Sequence, residues 1–154
     1  MEKLLANELV RSIGVSNFLP EHLETLLASA EVTPAVNQIE LHPTFQQREL
    51  ASLCREKGIA VEAYSPLGQG ADLTADAVQA VAAAHGATPA QVVLAWHLSQ
   101  GTIVIPKTAN ADRMAENFAA AALDLTASEV EQISGLDSGQ RIGTDPAIAA
   151  HTQL

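Results

Sequence analysis

Apolar positions along the chain recur at two spacings, and the switches between them mark out the elements. Residues 1–8 read as the last turns of a helix and Ser12 to Val15 as a short strand. In LPEHLETLLASA, Leu23, Leu26 and Leu27 repeat at the spacing of one helical face, and PAVNQIEL then reads as a strand. QQRELASLCREKG is helical, with Leu50, Leu53 and Cys54 on one side and Gly58 placed to stop it before the strand IAVEAY. After a loop, TADAVQAVAAAHG predicts a small-residue helix ending at Gly86. TPAQVVLAWHLSQG predicts another, with Thr88 as N-cap and Pro89 at its first position. TIVIPK is a fourth strand, NADRMAENFAAA a helix, and TASEVEQISGL opens on Thr126 and Glu129, a capping-box pair.

Strands separated by helices in this order predict an α/β fold, a parallel sheet of right-handed βα units. No linker, repeat or low-complexity segment interrupts residues 1–137, so they form one unit. The remainder, SGQRIGTDPAIAAHTQL, loses periodicity and carries Gly139, Gly143 and Pro146, which predicts an irregular and mobile tail over 138–154.

Composition narrows the classes of function. With 47% hydrophobic and 17% charged residues the chain has material for a sizeable core. A net charge of -10 repels polyanions at long range, which argues against nucleic acid and anionic membrane surfaces as partners. Any bound phosphate must then be held by a local cluster of cations. Cys54 stands alone, and neither a signal-like segment nor a run of eighteen apolar residues occurs, so a reducing cytoplasm is expected. His22, His42, His85, His97 and His151 lack paired metal-ligand spacing, and no metal is expected. His97 beside Trp96 and Cys54 on its apolar helical face read as packing. Glu40 and His42 share one side of a strand, but ELHP reads as a strand closed by a turn at Pro43.

Polar residues collect where each strand ends: Ser16 and Asn17, Gln38, Tyr64 and Ser65, then Lys107 and Thr108. Taken singly these are ordinary turn or core residues. Together they converge on the carboxyl edge of a parallel sheet, the edge where α/β folds bind ligands. Lys107, Thr108 and Arg113 also bracket a helix N-terminus, where free N–H groups and the helix dipole already favour anions. PLGQG, taken alone, is a flexible turn.

RSIGVSNF, VNQIELHP, YSPLGQG and IPKTANADRMAEN occur in the order, and at about the spacing, found in the aldo-keto reductase family. These motifs resemble most the bacterial members of the diketogluconate-reductase type, and the resemblance runs from Leu4 to Leu136. It implies a (β/α)8 TIM barrel that reduces aldehydes and ketones with NADPH, of which this chain is similar to the C-terminal half, strands five to eight with their helices. By the same resemblance Ser16, Asn17 and Gln38 hydrogen-bond the nicotinamide carboxamide, and Tyr64 stacks on the nicotinamide ring. Ser65, Leu67, Gln69 and Gly70 belong to the pyrophosphate loop, where glycine lets the backbone approach phosphate. Lys107, Thr108 and Arg113 face the 2′-phosphate, and Glu116 and Asn117 the adenine end. Asn110 departs from relatives with a second arginine there, weakening the NADPH preference and leaving it the role of helix cap.

A complete barrel needs eight strands and about 250 residues. The family's catalytic Asp, Tyr, Lys and His fall in its first half, so no catalytic residue is expected in this chain. Three readings follow. The chain is a piece of a reductase of small carbonyl substrates, active with the missing N-terminal half. Alternatively it is a half-barrel that self-associates through open sheet edges and binds nucleotide without reducing carbonyls. The third reading is a noncatalytic protein-interaction module.

Overall fold

The computed structural model describes residues 1–149, and His151 with the rest of the tail's last residues lies outside them. Four strands make one all-parallel sheet in sequence order: β1 (Val15–Ser16), β2 (Val36–Glu40), β3 (Ala60–Tyr64) and β4 (Ile103–Val104). Around it run α1 (Glu2–Ala6), α2 (Pro20–Leu27), α3 (Arg48–Glu56), α4 (Asp76–His85), α5 (Pro89–Ser99), α6 (Ala111–Ala119) and α7 (Ala127–Ser134). Among the described residues no helix is long and apolar enough to cross a membrane.

β2 and β3 pair over five residue pairs, from Val36 opposite Ala60 to Glu40 opposite Tyr64. Side chains alternate across this ribbon. Asn37, Ile39, Val61 and Ala63 are buried on the face covered by helices, whereas Val36, Gln38, Ala60, Glu62 and Tyr64 are half-buried on the opposite face. The core behind the sheet takes Leu23 from α2, Cys54 from α3, Val78 from α4, Val92, Val93 and Trp96 from α5, and Ile133 from α7. Trp96 donates its indole N–H to the Ser134 hydroxyl at 2.9 Å, pinning α7 to α5.

Stop signals in the sequence match the geometry. Gly86 closes α4 with φ 59°, in the left-handed region that glycine enters without strain. Thr88 caps α5 and Thr126 caps α7, each in a reciprocal capping box, and Asn110 accepts the Arg113 N–H at 3.0 Å to cap α6.

The two edge strands are shorter than their patterns predict. The first covers Val15–Ser16 rather than Ser12 to Val15, and only Ile103–Val104 of TIVIPK forms β4. Each has a hydrogen-bonded neighbour on one side only. Pro106, which has no N–H, ends pairing in β4 after Ile105 donates to the Ala63 carbonyl at 3.3 Å. The tail also differs from a free extension. Ser138 and Gln140 donate their N–H groups to the Thr44 carbonyl at 3.1 and 3.2 Å, and a short helix, α8 (Pro146–Ala149), follows.

Both sheet flanks stay apolar and open. On the β4 side Ile103, Ile105, Met114 and Phe118 are exposed, Phe118 at 85%; on the β1 side Leu9 and Val10 are exposed.

Gly14 lets β1 approach β2. A Cβ on it would lie 2.8 Å from Val36 Cγ1 and 3.0 Å from the Val36 carbonyl oxygen. Gly14→Ala is expected to cost about 1–3 kcal/mol through overpacking, read as a lower urea midpoint. An unchanged midpoint would show that β1 yields without cost.

Candidate functional site

Ser16 and Asn17, Tyr64 and Ser65, and Lys107 and Thr108 end or follow their strands as expected, whereas Gln38 sits at the middle of β2, paired with Ser16 on one side and Glu62 on the other. The first three strands are joined directly. The buried Asn37 amide holds the β1 exit, donating to the Phe18 carbonyl at 2.9 Å. Asn17 then turns through φ 58° and donates its N–H to the Gln38 carbonyl at 2.8 Å. Ser16 Oγ donates to the same carbonyl at 3.1 Å. Tyr64, at the end of β3, donates its hydroxyl to Asn17 Oδ1 at 3.0 Å. The Gln38 side chain donates Nε2 to Glu62 Oε1.

These bonds leave a defined set of free polar atoms. Asn17 Nδ2 remains a donor, while Gln38 Oε1 and the Ser16 lone pairs remain acceptors. Burial, followed by the Glu40 charge, pushes the Tyr64 hydroxyl above its ordinary range, so it stays protonated.

The loop after β3 departs from regular backbone repeatedly. Ser65, Gly68, Gln69 and Gly70 all have positive φ, from 49° to 97°, across what is otherwise a 3-10 segment, Gly68–Thr74. Leu67 packs against the core, anchoring the loop from below, while Gln69 is exposed. At Gly68 a Cβ would lie 2.5 Å from Asp72 Oδ2, so this position admits only glycine while Asp72 keeps its place.

At the fourth strand end, Lys107, Thr108, Ala109, Asn110 and Arg113 line an open hollow over the N-terminus of α6. Thr108 Oγ1 accepts the Asn110 N–H at 3.1 Å, completing the turn into the helix. Glu116 and Asn117 do not line this hollow. Glu116 accepts the Thr88 hydroxyl at 2.5 Å, facing the start of α5. Asn117 lines an adjoining groove with Val104, Pro106, Met114 and Phe118, which meets the hollow at Thr108.

Sequence reasoning set aside Glu40 and His42, which the structure places in a buried network. The turn at Pro43 is present, with His42 bridged to Phe45. His42 Nε2 lies 3.2 Å from Glu40 Oε1, and His42 Nδ1 lies 2.9 Å from Asp72 Oδ2. Thr44 donates its hydroxyl to Asp72 Oδ1 at 2.8 Å. Glu40 also accepts the Ile142 and Gly143 N–H groups at 2.6 and 2.8 Å. Burial works against ionising both acids, but their hydrogen bonds and the His42 charge outweigh it and hold both below their ordinary values. For His42 burial likewise opposes the charge, yet the two carboxylates win and raise its pKa. Because His42 spends a ring nitrogen on each acid, the three groups do not converge on one point as metal ligands do. The i, i+2 alternation of Glu40 and His42 was the available signal; nothing near Asp72 in the sequence announces it.

His97, buried in α5, places Nε2 3.0 Å from the Pro66 carbonyl, and burial pushes its pKa down to about 4. Cys54 is buried, which raises its thiol. His97 is therefore neutral and Cys54 a protonated thiol at neutral pH, both enclosed in the core.

Comparison with known proteins adds a family. Residues 1–138 match the model of the Aldo/keto reductase family. An aldo-keto reductase of Mycolicibacterium smegmatis is 50% identical over 137 residues, covering 89% of this chain and 50% of that protein. The 9,11-endoperoxide prostaglandin H2 reductase of Trypanosoma cruzi is 45% identical, covering 95% and 53% respectively. Among solved structures, a Gox0644 variant in complex with NADPH superposes with a TM-score of 0.91 at 44% identity, covering 95% of this chain and 54% of that one. The chain thus spans about half the length of the relatives it matches.

Tyr64 is the sole tyrosine, so tyrosinate absorbance reports it without interference. Its titration midpoint is expected above 10.0 in the native chain and back at about 10 in urea. Coincident native and unfolded midpoints would contradict the buried, Asn17-bonded hydroxyl.

Proposed function

Because this chain belongs to the aldo/keto reductase family, we propose that it is the cofactor-holding half of an NADPH-dependent carbonyl reductase, corresponding to strands five to eight of the (β/α)8 barrel. The observation that carries this reading is the arrangement of one carboxyl edge. Ser16, Asn17, Gln38 and Tyr64 lie at one end, and the Lys107–Arg113 hollow lies at the end of the adjoining strand.

The free polar atoms suit a nicotinamide. A carboxamide offers one carbonyl and one NH2, matched by the Asn17 Nδ2 donor and by the Gln38 Oε1 and Ser16 Oγ acceptors. Tyr64 presents a flat ring beside them, which fixes the exposed face of the nicotinamide without adding charge. The Ser65–Gly70 loop, with positive φ at Ser65, Gly68, Gln69 and Gly70 and seated on Leu67, is the segment that borders the pyrophosphate in this reading. Lys107 and Arg113, with Thr108 between them, supply the local cations that a 2′-phosphate needs in a chain of net charge -10. Asn117 borders the same region, and Glu116 braces it through Thr88. When bound, NADPH supplies a hydride to a carbonyl carbon. These residues bind and orient the nicotinamide; the acid that protonates the carbonyl oxygen belongs to the other half of the barrel.

A second reading is favoured by the open flanks. Exposed Ile103, Ile105, Met114 and Phe118 on one side, and Leu9 and Val10 on the other, call for a covering partner. That partner is the N-terminal half, or a second copy of this chain that binds nucleotide without turnover. Aldehyde reduction in the presence of the N-terminal half, and its absence in the isolated chain, separates the two.

NADPH is expected to bind more tightly than NADH, and Lys107→Ala or Arg113→Ala to weaken NADPH by about ten- to a hundredfold while leaving NADH nearly unchanged. Fluorescence titration measures all three. Equal affinities for the two nucleotides, or insensitivity to both substitutions, would remove the 2′-phosphate assignment.

A further inference from the structure

The buried network joins two segments that are far apart in sequence. From Asp72, beneath the 65–72 loop, it runs through His42 to Glu40, and from Glu40 to the backbone of the tail at Ile142 and Gly143. Glu40, His42 and Asp72 are each almost wholly buried. Gly143 is specific to this contact, since a Cβ there would lie 2.6 Å from Glu40 Oε2 and 3.8 Å from the Tyr64 hydroxyl. The tail therefore crosses directly over the edge that carries Tyr64.

Both imidazole nitrogens of His42 face carboxylate oxygens, and Nδ1 also lies 3.1 Å from Thr44 Oγ1, whose hydrogen is committed to Asp72. A neutral ring has one N–H and can satisfy one of them; the imidazolium satisfies both. We propose that His42 is a positioning residue, a buried imidazolium that locks the 65–72 loop and the C-terminal tail into one unit across the carboxyl edge. The inference goes beyond cofactor binding and stands on the protein alone, with no nucleotide present.

Other charged and titratable groups face the network from each neighbouring element. Arg141 of the tail lies 4.0 Å from Glu40 Oε2 and stacks over the Phe45 ring. It brings a second positive charge to the edge of the network without a hydrogen bond to Glu40. Tyr64 from β3 stays protonated above the working range, and His97 from α5 is neutral above a pKa of about 4. His42 is thus the group of this set whose charge both neighbouring acids hold on to above its ordinary value. Its pKa is raised by Asp72 and Glu40, so its contribution is complete below pH 6.5 and is lost as pH rises through the folded value. On losing its proton to water, the ring keeps its N–H on the nearer partner, Asp72, and turns a lone pair toward Glu40 Oε1. That is the oxygen which accepts the Ile142 N–H.

The tail contains its own control. Ser138 and Gln140 rest on the neutral Thr44 carbonyl, whereas Ile142 and Gly143 rest on the Glu40 carboxylate. The experiment is amide hydrogen exchange on the full chain without nucleotide, resolved residue by residue, with rates corrected for intrinsic pH dependence. As pH rises from about 6 to the alkaline limit of folding, protection at Ile142 and Gly143 is expected to fall about tenfold while Ser138 and Gln140 hold steady. Asp72→Asn, a change on the loop side of His42, is expected to produce the same selective loss at neutral pH. A flat profile overturns the proposal, as does a uniform loss at all four amides or an Asp72→Asn variant with unaltered tail protection. Should that variant fail to fold, the pH profile of the unmodified chain decides the matter.

Discussion

Parallel pairing of β2 with β3 is the constraint from which the rest of the molecule follows. Strands that run in the same direction cannot be joined by tight turns, so each connection must cross back as a helix, and those helices bury Asn37, Ile39, Val61 and Ala63 from one side. The same direction sends every strand's last residue to one edge. Residues separated by long stretches of chain, such as Asn17, Gln38 and Tyr64, thereby become neighbours without any local sequence signal joining them. The hydrogen bond from Tyr64 to Asn17 spans 47 residues and is a direct product of that geometry.

How far the sequence could be read depended on whether a feature was local. Gly86, the Thr88–Pro89 start, the Thr126–Glu129 box and the Asn110 cap each satisfy backbone groups within one turn, and all stand where the pattern placed them. Edge strands were harder to bound, because apolar runs such as TIVIPK continue past the point where ladder bonds stop at Pro106. The strand-end clustering of polar side chains was legible, but their individual roles came from family resemblance and not from spacing. Glu116 and Asn117, grouped by the resemblance, have different neighbours in the structure, the first Thr88 and the second an apolar groove. Asp72 was invisible, since its significance lies in a partner 30 residues away.

The distribution of charge gives a second view of the same fold. Over the whole chain acids dominate, with 18 against 8 basic residues. Inside, Glu40 and Asp72 are matched by His42 and Arg141, so the interior cluster is nearly neutral even though the chain is not. Burying unmatched carboxylates costs several kcal/mol each, which is why such acids persist only where cations and backbone N–H groups meet them. The basic hollow at Lys107 and Arg113 is the converse case, two cations left at an open surface.

Trp96 has a place in this arrangement that matters to anyone who works with the molecule. It is the sole indole, it is sealed at the seam between α5 and α7, and its N–H is committed to Ser134. Its emission therefore reports the integrity of the helical layer, and its edge-on contact with His97, which reaches the Pro66 carbonyl, ties that report to the loop after β3. The chain thus carries an internal optical gauge of packing, a single emitter whose surroundings change from apolar to aqueous when the helices come apart.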